Sequence, residues 1–288
     1  ATSMTANHGW RPDLMPASGI VHTANAYCYR CPFKKTPDNC SLECVKDLER
    51  TIQTQTSGKP AAMIAEPIQG VGGAITPPDD YFKEVKKVLD NYGALFISDE
   101  VQTGVGRTGK HWFGITNWGV EPDMMTMAKG LGNGLPIGAV VATPQIAEHL
   151  TKQQINTFGG NPVSSATALA VLDTIEEENL MENARVVGDY LVEGLKDLQK
   201  SFPSLIGEVR GKGLMLGVEL AAPDKTPLVE ETKRVVEMSK DDGVVIGKGG
   251  LYGNVLRIKP PMNITKENVD STLKVLRKAM ETLAKVPV

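Results

Sequence analysis

The residues best placed to do chemistry are a lysine and a carboxylate, each at the end of an apolar run. Lys129 follows the run Asp123-Met-Met-Thr-Met-Ala128 and opens a stretch with four glycines and a proline within ten residues. A loop so poor in side chains lets backbone come close to a ligand. The apolar flank predicts a lysine amine lowered in pKa by burial, and such an amine is a nucleophile suited to a Schiff base. The plain alternative is a surface lysine in a glycine-rich turn. The second run, 94–99, ends in two acids, Asp99 and Glu100. Ligands of parallel α/β sheets sit beyond the carboxyl ends of strands, and both Asp99 and Lys129 fall at such ends, one crossover apart. A lysine for an imine and an acid for a pyridinium nitrogen are the minimal set for pyridoxal phosphate (PLP).

Three further motifs give that pair a context. Ser98-Asp-Glu-Val-Gln-Thr-Gly, Ala128-Lys-Gly and Glu66-Pro-Ile-Gln-Gly resemble class III, fold-type I PLP-dependent aminotransferases. Thr157-Phe-Gly-Gly-Asn-Pro and Leu256-Arg-Ile-Lys-Pro-Pro match the same family in the same order. The resemblance covers nearly the whole chain and looks nearest to the alanine–glyoxylate aminotransferase 2 branch.

The resemblance implies roles residue by residue. Lys129 carries the imine and shuttles the proton, Asp99 pairs with the ring nitrogen, Val101 packs on the ring face, and Gln102 bonds its phenolic oxygen. Thr157 serves the cofactor phosphate from a neighbouring subunit, which implies a homodimer with a shared active site. Arg257, expected to be a buried guanidinium, clamps the substrate carboxylate. Glu66 orients Gln102 or that arginine, and Arg107 holds the glycine-rich turn.

Two departures matter. Enzymes of the family acting on ω-amines carry a glutamate directly after Glu-Pro-x-Gln-Gly that masks the substrate arginine; here the residue is Val71. That favours transamination between an α-amino acid such as alanine and a small 2-oxo acid such as glyoxylate or pyruvate. The family's upstream phosphate loop and stacking aromatic are not recognisable, so Ala1 reads as a point inside the large domain. Alternatives on the same motifs are an ω-amino-acid aminotransferase of γ-aminobutyrate or ornithine type, a related PLP decarboxylase or aminomutase, and a non-catalytic scaffold or fragment.

The elements that must position these residues are those of an α/β chain. The 288 residues are 41% apolar, include 29 glycines and carry a net charge of -3, which gives no basis for nucleic-acid or anionic-membrane binding. No leader or long apolar span is visible, so the expected location is cytoplasm or mitochondrial matrix. The opening, with Pro12, Pro16 and Pro32, is expected to be irregular. Helices are expected over 42–56 (capped by Ser41), 77–92, 144–152, 162–177, 181–202, 229–242 and 265–283. Strands are expected over 61–65 (buried), 94–98, 123–128, 137–142, 214–220, 244–246 and 255–258. The two tryptophans of 112–118 read as packing anchors, and Gly247-Lys-Gly-Gly as a plain turn lacking phosphate-loop spacing.

This pattern predicts a mostly parallel sheet in a partial large domain, 1–178, and a smaller α+β domain, 179–288. Four cysteines, Cys28, Cys31, Cys40 and Cys44, are spaced C-x2-C-x8-C-x3-C. Structural zinc, disulfides and free thiols all remain open for them.

Overall fold

Short apolar runs alternating with amphipathic helices build the first of two sheets in the computed structural model, which describes residues 2–11, 15 and 17–285. Strands β1 (Ala62–Ala65), β2 (Leu95–Asp99) and β3 (Met124–Met127) are parallel neighbours, and β4 (Ala139–Ala142) runs antiparallel to β3. Helices α1 (Glu43–Gln55) and α2 (Tyr81–Asn91) bury Val45, Leu48, Ile52, Phe82, Val85 and Leu89 in one cluster with Phe96 of β2. Full burial of each such side chain contributes about 1.5–3 kcal/mol. Trp118 anchors this core as expected: its ring meets Phe82 edge-on at 5.3 Å, and its indole N–H donates to the Pro78 carbonyl at 3.0 Å.

Several expectations shift in detail. α1 starts from Leu42 in a left-handed conformation (φ 54) without a side-chain cap, so Ser41 is not its cap. β1 is an edge strand of its sheet with Ile64 37% exposed, not a buried one. α3 (Pro144–Ala147) stops well short of residue 152. α4 (Pro162–Glu177) is capped by Asn161, whose side-chain oxygen accepts from the Ser164 N–H at 3.0 Å. Pro12 and Pro16, which helped to predict an irregular opening, lie outside the described residues.

After α5 (Leu180–Ser201), the second sheet follows in the order β5-β6-β8-β7, wholly antiparallel. Its strands are β5 (Ile206–Lys212), β6 (Met215–Leu220), β7 (Gly247–Gly249) and β8 (Val255–Ile258), with helices α6 (Val229–Asp241) and α7 (Lys266–Ala284). Leu191, Leu195 and Leu198 of α5 pack with Leu216, Val218 and Leu220 of β6 and with Leu276 and Met280 of α7. β5 was not anticipated, because Ile-Gly-Glu-Val-Arg-Gly-Lys shows little apolar alternation; every residue after Ile206 is only half-buried.

The strand expected at 244–246 is instead a loop, and the glycine-lysine-glycine run read as a turn is the edge strand β7. The glycines are required there: a Cβ on Gly249 would come within 2.6 Å of the Arg257 Cδ and 2.9 Å of the Val71 carbonyl oxygen.

One buried carboxylate ties the two sheets and the opening segment together. Glu219 of β6 is fully buried and accepts from the Tyr27 hydroxyl, the Arg30 Nε at 2.5 Å, and Arg210 Nη1 at 2.7 Å. Arg210 in turn donates through Nε to the Gly73 carbonyl at 2.9 Å. The loop 70–73, which leaves β1 toward the strand ends, is thereby anchored to the second sheet.

All four cysteines are free thiols. Burial pushes the Cys44 thiol up to about 11 and raises Cys28 as well. Among the described residues no group of three His, Cys, Asp or Glu side chains is arranged to hold a metal, and no helix is long and apolar enough to cross a membrane.

Candidate active site

Three adjacent parallel strands each deliver one ionisable residue at their carboxyl ends. Glu66 follows β1, Asp99 ends β2, and Lys129 lies just beyond β3. The register, with Asp99 opposite Thr126 and Ala65 opposite Ser98, brings these ends level. Open α/β sheets bind ligands at this edge. Lys129 is exposed, in contrast to the apolar flank expected, and it takes a left-handed backbone (φ 47). A lysine in that conformation stores about 1 kcal/mol of backbone strain. The following turn, Lys129–Gly132, tolerates it because Gly130 and Gly132 keep the loop slim; a Cβ on Gly132 would overlap Ile137 at 2.7 Å.

The two acids ending β2 diverge completely. Glu100 is buried and saturated: it accepts from the hydroxyls of Ser98 (3.0 Å) and Thr103 (2.5 Å) and from the N–H groups of Gly114 (2.8 Å) and Ile115 (2.9 Å). It holds the loop after β2 in place. Asp99 is half-buried and among the described residues accepts the Val101 N–H, at 3.1 Å, which leaves other lone pairs for a ligand.

Glu66 acts through backbone. It accepts the Gly70 N–H at 2.8 Å, and burial pushes its carboxyl above the usual range, with the Asp99 charge adding to the effect. Gly70 lies directly against the Gln102 amide, where any Cβ would overlap it. The same amide meets Lys259, whose ammonium donates to the Gln102 side-chain oxygen. Burial, together with the neighbouring Arg257 charge, lowers Lys259 to about 8, against the pull of Glu66.

The second sheet supplies the remaining cations. Arg257 on β8 is half-exposed rather than buried, and its Nε donates to the Lys248 carbonyl at 3.0 Å across the β7–β8 pair. The Val71 carbonyl accepts the Gly250 N–H at 2.9 Å, so Val71 and Arg257 flank the same glycine strand. Arg107 donates to the Pro260 carbonyl at 2.5 Å and accepts the Leu214 N–H at 3.2 Å, tying the turn after β2 to the second sheet. Burial lowers its guanidinium. A cleft of about 430 Å³ opens beside Gln102, Arg257 and Lys259 and runs past Val245, Ile246 and Ile264; Lys129 and Asp99 do not line it.

The structure thus gathers Glu66, Asp99, Val101, Gln102, Lys129 and Arg257 around one sheet edge and its neighbouring β8, but leaves Thr157 apart. Thr157 is exposed in the loop before α4, beside Ile155 (94% exposed) and Phe158 (81%). Lys259 went unassigned from sequence, although it stands two residues from Arg257 at the strand end and so on its side. The site residues fit the ring end of PLP on chemical grounds. There is an exposed amine with no salt bridge among the described residues, an acid with open lone pairs, and an amide seated where Gly70 has no side chain.

Comparison with known proteins places this geometry in a family. The family model described as aminotransferase class-III matches residues 1–280. The leucine/methionine racemase of Thermococcus litoralis is 45% identical over 257 residues, covering 88% of this chain and 57% of the racemase. The mitochondrial alanine–glyoxylate aminotransferase 2 of Homo sapiens is 42% identical over 286 residues, covering 94% of this chain and 55% of that protein. A Bacillus anthracis aminotransferase superposes with a TM-score of 0.89 at 37% identity, covering 97% of this chain and 65% of that one. The chain spans a little over half the length of the curated relatives it matches. Its parallel sheet with a second antiparallel sheet is the fold-type I arrangement of these transaminases.

Proposed function

The chain belongs to the class III aminotransferases, a family of PLP-dependent enzymes, and on that premise we propose that it serves transamination between an α-amino acid such as alanine and a small 2-oxo acid such as glyoxylate or pyruvate. One observation supports the reading most: three adjacent parallel strand ends present Glu66, Asp99 and Lys129 together, with Gln102 seated against Gly70 and bonded to Lys259. When bound, PLP supplies an aldehyde carbon that condenses with amines and a ring that draws electrons from the substrate Cα.

The chain's own groups do the rest. Lys129 Nζ, exposed at the strand ends, would hold the cofactor aldehyde and would carry the proton taken from Cα. The Asp99 carboxylate would hold a proton on the ring nitrogen, which would keep the ring electron-poor. Val101 would pack on the ring face, and the Gln102 amide would donate to the ring's phenolic oxygen. Arg257 binds the substrate carboxylate as a planar fork. Val71 leaves that arginine unmasked in both half-reactions, which favours α-amino acids over ω-amines. Thr157 serves the phosphate of a second copy's site, consistent with its exposure beside bare apolar side chains, so the active unit is a homodimer. The mitochondrial names of some relatives make the matrix one candidate compartment.

The 45% identity to a racemase supports a second reading, in which the proton taken from Cα returns to its opposite face. The experiment that separates them incubates the PLP-loaded protein with L-alanine and glyoxylate, and separately with L-leucine. Pyruvate and glycine formed in the first, with optical purity retained in the second, support transamination. D-leucine without 2-oxo acid would replace it with racemisation, and neither product would remove both.

A further inference from the structure

Gln102 is held by two residues with different chemistry. One is Gly70, whose N–H is bonded to Glu66 and whose missing side chain leaves the amide its seat. The other is Lys259, its ammonium bonded to the amide oxygen. A primary amide has two ends of nearly equal size, and packing alone does not choose between them. An ammonium does choose: it has three donors and no acceptor, so only the amide oxygen satisfies it.

We propose that Lys259 is a positioning residue, whose ammonium captures the Gln102 side-chain oxygen and so leaves the Gln102 NH2 as the end that donates to the phenolic oxygen of PLP. The inference rests on the PLP reading above. Glutamine and an acceptor oxygen on the ligand would otherwise meet in two orientations, one repulsive. Lys259 removes the repulsive one before the ligand arrives, which is preorganisation of the kind that raises affinity without a new contact to the ligand.

The surroundings also make this device dependent on pH. Lys259 faces Arg257 on its own strand, Glu66 after β1, Lys129 after β3 and Arg107 after β2. Burial and the three cations lower it to about 8, while the Glu66 carboxylate opposes them. Below that pH the ammonium enforces the amide orientation. Above it a neutral amine can accept as well as donate, and the selection relaxes.

The test has two arms. In the first, without PLP, Lys259 is titrated by competitive acetylation with acetic anhydride and mass spectrometry, in wild type and in Gln102→Leu. The expected half-point is about 8 in wild type and about one pH unit lower in the variant, because a hydrogen bond to the charged form is lost. An unchanged half-point overturns the contact. In the second arm PLP binding is measured by fluorescence quenching from pH 6.5 to 9.5, in wild type, Lys259→Met and Lys259→Arg. Wild type should weaken as pH passes 8, Met should bind about tenfold more weakly with no such step, and Arg, which also only donates, should recover most of the affinity. Met equal to wild type, or Arg as weak as Met, overturns the positioning role. Wild type that does not bind PLP at all refutes the proposed function, and the first arm tells that outcome apart because it needs no PLP.

Discussion

The strand-end cluster and the loop before α4 carry motifs of the same family, yet the fold treats them in opposite ways. At the strand ends several of the side chains are braced by a neighbour: Asp99 by the Val101 N–H, Gln102 by Gly70 and Lys259, and Arg257 by the Lys248 carbonyl, while Lys129 stands exposed among them. Around Thr157 the bracing stays local to the loop, the Asn156 side chain accepting the Gly159 N–H and Asn161 donating to the Phe158 carbonyl, both at 3.0 Å. Residues 151–160 are all exposed, and Val163 and Leu169 of α4 and Val140 and Val141 of β4 are exposed apolar side chains as well. On the proposed reading, chemistry at the ring would be built by one chain's own topology, whereas the contribution of Thr157 would depend on a second copy. Substitutions at the strand ends should therefore act on rate or orientation within one chain, and substitutions at Thr157 should act through assembly and cofactor retention.

The largest effect is expected at Lys129. Lys129→Ala should lower transamination by about 10³-fold or more, since it removes both nucleophile and proton carrier. Its circular dichroism should stay that of wild type, because the residue is exposed. Turnover within tenfold of wild type would take Lys129 out of the chemistry. Asp99→Asn comes next, with PLP still bound but proton removal from Cα slowed by about 10²–10³-fold, as an amide cannot keep the ring nitrogen protonated. Its neighbour sharpens the point. Glu100→Ala should leave four buried donors unsatisfied and cost roughly 3 kcal/mol or more in urea unfolding, while a Glu100 variant that unfolds like wild type would contradict its role as a brace.

How much of this was legible beforehand follows the same divide. The parallel strands, their order of motifs and the positions of Asp99 and Lys129 could be read, because each depends on a local apolar run ending in a turn. Adjacent acids on β2 looked alike in sequence, and only the fold separates them, since the donors that saturate Glu100 come from residues 98, 103, 114 and 115. β5 and β7 were invisible because glycine and charged residues form them, held by pairing to β6 and β8 rather than by an apolar pattern. Lys259 had no local signature either, as its partner Gln102 is 157 residues away. The half-exposed state of Arg257 was also beyond reach, because the glycine strand beside it had been read as a turn.

The smaller effects compare Arg257 with Thr157 directly. Arg257→Ala should reduce kcat/KM for alanine and glyoxylate alike by the equivalent of about 1.5–3 kcal/mol, as expected for loss of hydrogen bonds to a charged carboxylate at a half-exposed position. Val71→Glu should impair the same pair and improve ω-amines, and a wild-type preference for γ-aminobutyrate or ornithine over alanine would contradict the α-amino assignment. Thr157→Val should weaken PLP retention by about tenfold or somewhat more, the worth of one hydrogen bond to a charged phosphate, and should do so most in the assembled dimer. Equal loss in monomer and dimer, measured by gel filtration with absorbance at the cofactor band, would place Thr157 in its own chain's site instead.

The central claim is that Lys129 is the residue that bonds the cofactor. The direct measurement is peptide mapping after incubation with PLP and reduction with borohydride. The account predicts a pyridoxyl group on the tryptic peptide containing Lys129, prevented by Lys129→Ala and diminished when excess L-alanine is added before reduction. A modification spread over surface lysines, or concentrated on Lys259, would contradict it.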